Sequence, residues 1–307
     1  MRQCVMGDKS RAVEPIAPTL RRAGPSASGY ESRGVPSSWE RWIPALTDSG
    51  SAIDLICLPH AGGGPSQFLP WVDLAPRGVV RLRAVALPGR ESRFGELPVE
   101  DFADAVDAIE RQLLAMESST VALFGHCLGG KLALALAQRL EQRGRGVRHL
   151  FVSDLKPPRT GEAPPPVSEL PRFELYEYVK GLPDEIAQSP EMLDLLEPIF
   201  RGDFKLNETA RLDQDVPIRA PITVFSSDED SAAAMACLRG WERFTNASLT
   251  LDCQPGPHWP TGERWREIGA TVCRALSAFE DQRCTEEPTP QRPHTTTIAE
   301  GMPDGRA

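Results

Sequence analysis

Six residues, Gly125-His126-Cys127-Leu128-Gly129-Gly130, constrain the fold of this chain more than any other stretch. Before them runs Val121-Ala122-Leu123-Phe124, a short apolar segment of strand character. After them an Ala/Leu-rich segment reaches Gln138-Arg139-Leu140 and reads as a helix. A strand that turns into a helix within so few residues needs glycine on both sides, so that the backbone can pass closely while the central residue stands strained and exposed. In such an elbow the central residue is the nucleophile, and here it is Cys127. A small buried cysteine in a glycine turn is the alternative, since free cysteine is among the most buried residue types. The strand before it and the helix after it favour the elbow.

The rest of the chain supplies a sheet for that elbow. Ile53-Asp54-Leu55-Ile56-Cys57-Leu58 reads as a buried strand and ends in Pro59-His60-Ala61-Gly62-Gly63-Gly64. Further strands are predicted at 81–87, 120–124, 150–152, 221–225 and 247–251. Helices are predicted over 99–114, where Phe102, Val106, Ile109 and Leu113 share a stripe, over 232–244 and near 262–282. Strands alternating with helices imply a mainly parallel sheet with helices on both faces, and functional side chains then collect at the carboxyl ends of the strands. The stretch 162–212 breaks the rhythm, with Pro164-Pro165-Pro166 and helices near 171–179 and 190–201. It reads as a helical lid inserted over the active edge, or as a plain structural helix pair.

Residues 1–50 are rich in Pro, Ser, Gly and Arg and read as a disordered arm whose end docks through Trp39, Trp42 and Ile43; 285–307 reads as a disordered tail. One catalytic domain is expected over 51–284. A net charge of −9 argues against nucleic acid or an anionic membrane as partner. Seven scattered cysteines without C-x-x-C spacing predict free thiols, no metal and a reducing, cytoplasmic setting. No leader-like apolar segment stands at the N-terminus, and a monomer is expected.

Three glycines after the first strand lack the Lys-Ser/Thr of a phosphate-binding loop, so the loop reads instead as a source of an oxyanion-binding N–H. Of five histidines, His294 lies in the tail, His149 before a strand at the surface, His126 inside the elbow as a structural residue, and His60 in the glycine loop. His258 alone follows the final strand, as a general base should. Asp230 follows the preceding strand, so Cys127, Asp230 and His258 run in the order nucleophile, acid, base. Asp228 and Asp154 are the other acids at strand ends, and Asp154 can reach the same histidine from the neighbouring strand.

Several stretches together resemble the type II thioesterases, the free-standing α/β-hydrolase enzymes of polyketide and nonribosomal peptide pathways. They are LPHAGGG (58–64), LPGRESR (87–93), GHCLGG (125–130), Ile199-Phe200-Arg201-Gly202-Asp203-Phe204, FSSDED (225–230) and GPHW (256–259), in family order. The resemblance implies an α/β-hydrolase fold, Asp230 as orienting acid, His258 as base, and an oxyanion hole from the N–H groups of Ala61 and Leu128. It implies substrates carried as acyl groups on the phosphopantetheine arm of acyl or peptidyl carrier proteins, with no cofactor of the enzyme's own. The sequence departs from the family at four points. Cys127 replaces serine, Ser226-Ser227 replace a glycine pair, and Pro257 replaces glycine. Asp154-Leu155-Lys156 stand where the family commonly has glycine and arginine, and thioesterase domains built into synthetases often carry their acid at the Asp154 position.

The cysteine shifts the expected chemistry. Free cysteine has a pKa of about 8.5, and an imidazolium or a helix N-terminus can lower it. An acyl-Cys127 intermediate is itself a thioester, so the acyl group stays activated for another thiol or amine. Acyl transfer is therefore expected. Hydrolytic editing of carrier-bound thioesters is the alternative, and an inactive carrier-binding module is a third reading.

Overall fold

The structure, a computed structural model, describes residues 41–47, 50–116, 120–158, 166–179, 188–227, 237–253 and 262–286, with side chains described as far as 279. Six strands form one sheet: β1 (Ile53–Leu58), β2 (Val80–Ala84), β3 (Val121–His126), β4 (Val147–Ser153), β5 (Ile222–Ser226) and β6 (Leu249–Cys253). Their order is β2-β1-β3-β4-β5-β6, and every pairing is parallel. All six residues of β1 and of β3 are buried, as continuous apolar runs between two helical layers must be.

Alternation along the strands divides the core in two. Ile56, Leu58, Leu123 and Val152 face helices α1 (Phe102–Ala115) and α2 (Leu128–Gln142). Leu55, Cys57, Phe124 and Phe151 face a 3-10 helix at Pro65–Trp71 and the C-terminal α5 (Gly262–Glu286). On that second face Trp71 and Trp265 lie with ring centroids 4.7 Å apart, and Trp71 is 4.8 Å from Phe124. Each indole finds an acceptor across the layer: Trp71 Nε1 donates to Trp265 O, and Trp265 Nε1 to Gln67 O, both at 2.8 Å. A Cβ on Gly269 would stand 2.7 Å from the Trp71 ring, so α5 can seat there only with glycine at that position.

The segment before β1 docks as expected. Ile43 is fully buried, and the Arg93 guanidinium lies 4.1 Å from the Trp42 ring centroid. Ala84 N–H donates to Pro44 O and Leu46 N–H to Leu82 O, which pairs this segment with the outer edge of β2. Trp39 lies outside the described residues.

Between β4 and β5 the described residues form a 3-10 turn at Val167–Glu169, α3 (Arg172–Tyr178) and α4 (Pro190–Thr209). Ser189 caps α4 by accepting the Met192 N–H, and Pro190 sits at its first turn, where a missing N–H costs nothing. The helix continues past Arg201, where the sequence reading ended it. Gly202 packs so closely on Pro98 that a Cβ would come within 2.7 Å, and Asp203 is anchored by a buried partner. The segment 239–244, expected within an α-helix, is a 3-10 helix at Arg239–Phe244. No helix among the described residues is long and apolar enough to cross a membrane.

Candidate active site

The sheet order places the candidate residues before any side chain is considered. The chain leaves β1 toward β2 on one side and leaves β3 toward β4 on the other, so the loops after β1 and β3 part and open a crevice at the carboxyl edge. Leu58 pairs in register with Gly125, so the two loops start level with one another. One carries His60 and Ala61; the other is Cys127, with Leu128 opening α2.

Cys127 is a non-glycine residue at φ 51°, ψ −113°, a conformation that side chains rarely adopt. Its surroundings hold it there. Cys127 N–H donates to Ser153 O at 2.9 Å, and Gly130 N–H donates to Cys127 O at 2.9 Å. A Cβ on Gly125 would meet Gly129 O at 2.2 Å, and one on Gly129 would meet Leu58 O at 2.1 Å. The flanking glycines are therefore a packing requirement of the elbow. Burial pushes the Cys127 thiol above its ordinary pKa, the Leu128 N–H and Lys131 pull it down, and Asp154 adds to the rise. The sequence reading stressed the lowering influences of helix and imidazolium, whereas among the described groups burial dominates.

The glycine loop is a tight turn. Gly63 N–H donates to His60 O at 3.0 Å with Gly62 at φ +80°. His60 Nδ1 lies 2.8 Å from Ala61 O, which makes Nδ1 the protonated ring nitrogen. Gly62 N–H donates to Asp203 Oδ2 at 2.6 Å. The Arg90 guanidinium grips the same carboxylate with two bonds, at 2.6 and 2.7 Å. The Ala61 N–H has no acceptor among the described residues. Arg90 and Asp203 were legible only as parts of motif stretches; their pairing across 113 residues left no local signal.

At the ends of β4 and β5 lies an acid. Asp154, at φ 50°, accepts the Ser227 N–H at 2.7 Å and the Ser227 hydroxyl at 2.6 Å on Oδ1. Its Oδ2 accepts the Ser153 hydroxyl at 3.3 Å and lies 3.9 Å from His126 Nδ1. His126 is fully buried, edge-on to His60 and Trp265, in keeping with a structural role. Asp230, His258 and Asp228 lie outside the described residues. β5 and β6 end on the edge that carries Cys127, at Ser226 and Cys253. Among the described residues no group of His, Cys, Asp and Glu is arranged to hold a metal ion.

His149 corrects the sequence reading. β4 begins at Val147, so His149 lies within the strand and is buried instead of standing at the surface. It stacks on Phe151 with centroids 4.0 Å apart, and Nε2 lies 2.8 Å from Thr223 Oγ1. Burial and the neighbouring Arg148 push its pKa down to about 4, which keeps it neutral.

Comparison with known proteins agrees with this fold. The thioesterase domain model matches residues 54–276. The gramicidin S biosynthesis protein GrsT of Aneurinibacillus migulanus is 27% identical over 245 residues, which cover 78% of this chain and 95% of that protein. Thioesterase PikA5 of Streptomyces venezuelae is 33% identical over 251 residues, covering 78% and 87%. The solved structure of the type II thioesterase BorB from the borrelidin biosynthetic cluster superposes with a TM-score of 0.66 at 31% identity, over 80% of this chain and 99% of that one.

Proposed function

This chain belongs to the thioesterase family, and from that premise we propose that it acts on acyl or aminoacyl thioesters of carrier proteins in polyketide or nonribosomal peptide biosynthesis. The reaction passes through acyl-Cys127, and the acyl group leaves to another thiol or amine. The observation that carries this reading is the nucleophile itself: a cysteine at positive φ on the elbow, immediately before the first residue of α2. The relatives in gramicidin S biosynthesis and the borrelidin cluster support the pathway class.

In the first half-reaction His258 takes the Cys127 proton and the sulfur attacks the thioester carbonyl. The N–H groups of Ala61 and Leu128 hold the tetrahedral oxyanion. The bond to the phosphopantetheine sulfur then breaks, and His258 returns the proton to that departing thiol. In the second half-reaction His258 takes a proton from the acceptor, which attacks acyl-Cys127 and restores the free cysteine thiol. Asp230 orients His258 on the family pattern. Asp154 is a second candidate for that role, favoured by its anchored carboxylate and its charge coupling to Cys127. On this reading helices α3 and α4 serve as the expected lid over this edge, within a 51–284 domain. Hydrolysis uses the same acyl-enzyme with water as acceptor, and remains the family's own activity.

Intact-protein mass spectrometry separates these readings. The protein is mixed with an acyl-loaded carrier, with and without a second, unloaded holo-carrier. Acyl mass on Cys127 that moves to the second carrier supports transfer. Release of free acid without a second carrier assigns hydrolysis. Neither acyl-enzyme nor unloading, across several acyl groups, overturns the catalytic reading, and carrier binding that survives Cys127→Ala then marks a binding module.

A further inference from the structure

The Arg90–Asp203 pair is buried on both sides, with side chains 4% and 0% exposed. A buried ion pair is weak evidence for stability, because desolvation consumes most of the attraction. Its geometry here points elsewhere. Asp203 Oδ2 accepts from Arg90 Nη1 and from the Gly62 N–H, both at 2.6 Å, and Arg90 Nη1 also donates to Gly63 O at 3.1 Å. The pair thus holds the glycine loop at two consecutive residues. The Phe200 ring, one turn before Asp203, lies where a Gly62 Cβ would stand, 2.3 Å away. With the Ala61 carbonyl facing His60 Nδ1 and the Gly62 N–H on Asp203, the Ala61–Gly62 peptide is fixed at both ends. The preceding Ala61 N–H is left facing no acceptor among the described residues.

We propose that Asp203, gripped by Arg90, is a positioning residue for the oxyanion loop, so that the seating of helix α4 sets the direction of the Ala61 N–H and is a precondition of acyl transfer. The inference rests on the acyl-Cys127 reading above. It assigns to a helix distant in sequence a direct part in the geometry of the reacting centre. Asp203 does not touch the substrate; it acts through the peptide plane next to the donor.

Two reactions of Cys127 distinguish positioning from general disruption. Acylation by a carrier-bound thioester builds an oxyanion, whereas alkylation by iodoacetamide displaces iodide at a saturated carbon and builds none. Arg90→Met with Asp203→Leu removes both charges and leaves no acceptor for the Gly62 N–H. Arg90→Met with Asp203→Asn removes both charges and keeps an acceptor. Single-turnover acylation in the Leu form is expected to fall by on the order of 10- to 100-fold, with alkylation within about twofold of wild type. The Asn form should recover a large part of the acylation rate. If the Leu form does not fold, Arg90→Lys, which cannot make the forked contact, should show the same split with a loss of about 3- to 10-fold. Acylation at the wild-type rate, or a parallel fall in acylation and alkylation, overturns the inference while the functional reading stands. Wild-type protein that takes no acyl group on Cys127 overturns both.

Discussion

Asp154, at the end of β4, accepts both the backbone N–H and the hydroxyl of Ser227, at the end of β5, at 2.7 and 2.6 Å. The two bonds converge on one carboxylate oxygen and fix the acid across adjacent strand ends. The other oxygen is turned toward Ser153 and His126, and the charge is felt at Cys127. Ser227, one of the two serines that stand where the family has glycines, thus holds Asp154 through its hydroxyl as well as its N–H.

Two acids, Asp230 and Asp154, are candidates to orient the general base, and substitution tells them apart. Changing the orienting carboxylate to Asn is expected to slow acylation of Cys127 by on the order of 10⁴-fold, because its loss leaves the histidine in the wrong tautomer. The check is single-turnover acylation of Asp154→Asn beside Asp230→Asn. A loss below about threefold in the first, with the large loss in the second, returns the role to Asp230.

Gly129 tests the elbow as a packing problem. A Cβ there would lie 2.1 Å from Leu58 O and 2.7 Å from Pro59 O, both backbone atoms that cannot step aside. Gly129→Ala should cost about 3 kcal/mol or more, lowering Tm by about 6–12 °C or preventing folding. Gly146→Ala, whose Cβ would have no atom within 4 Å, should stay within about 0.5 kcal/mol of wild type. Equal thermal melts for the two variants would contradict the close approach.

Strands were legible where apolar runs were long and bounded by turn residues; β1 lies at its expected limits, Ile53 to Leu58. The elbow was legible because its glycines are a steric demand written locally. Long-range pairing was not. Asp203 meets Gly62 across 141 residues, and neither sequence neighbourhood announces the other. His149 was misplaced because the polar Arg148-His149 pair hides the start of β4, where tertiary packing on Phe151 and Phe279 overrides composition. The 3-10 helix at Pro65–Trp71 has too few residues for periodicity to show, yet it carries Phe68 and Trp71 into the second core.

The buried His149 makes stability depend on pH. Its folded pKa, about 4, lies below the ordinary 6.5, so the unfolded chain takes up the proton first. Its contribution is intact above pH 6.5, is lost as pH falls from there toward 4, and changes no further below. Between pH 7 and pH 5 the loss from this group is about 2 kcal/mol. Urea unfolding at the two pH values should therefore show a smaller drop for His149→Gln than for wild type. Identical drops would mean that His149 titrates normally in the folded protein.

Lys131 stands in the first turn of α2, four residues beyond Cys127, and each residue's charge bears on the other's pKa. Burial lowers the Lys131 pKa, the nearby Cys127 raises it, and Arg211 lowers it further. The coupling runs both ways: the ammonium draws the thiol pKa down against the burial that lifts it. Lys131→Met removes that pull, and the thiolate fraction at neutral pH must fall. Alkylation of Cys127 by iodoacetamide at about pH 7.5 is expected to slow, since the thiolate is the nucleophile and its fraction falls as the thiol pKa rises. At a pH high enough to ionise both forms the rates should converge, because the remaining thiolates are chemically alike. A slowing that is the same at every pH would locate the effect in access to the sulfur, and would remove Lys131 from the account of how this cysteine is activated.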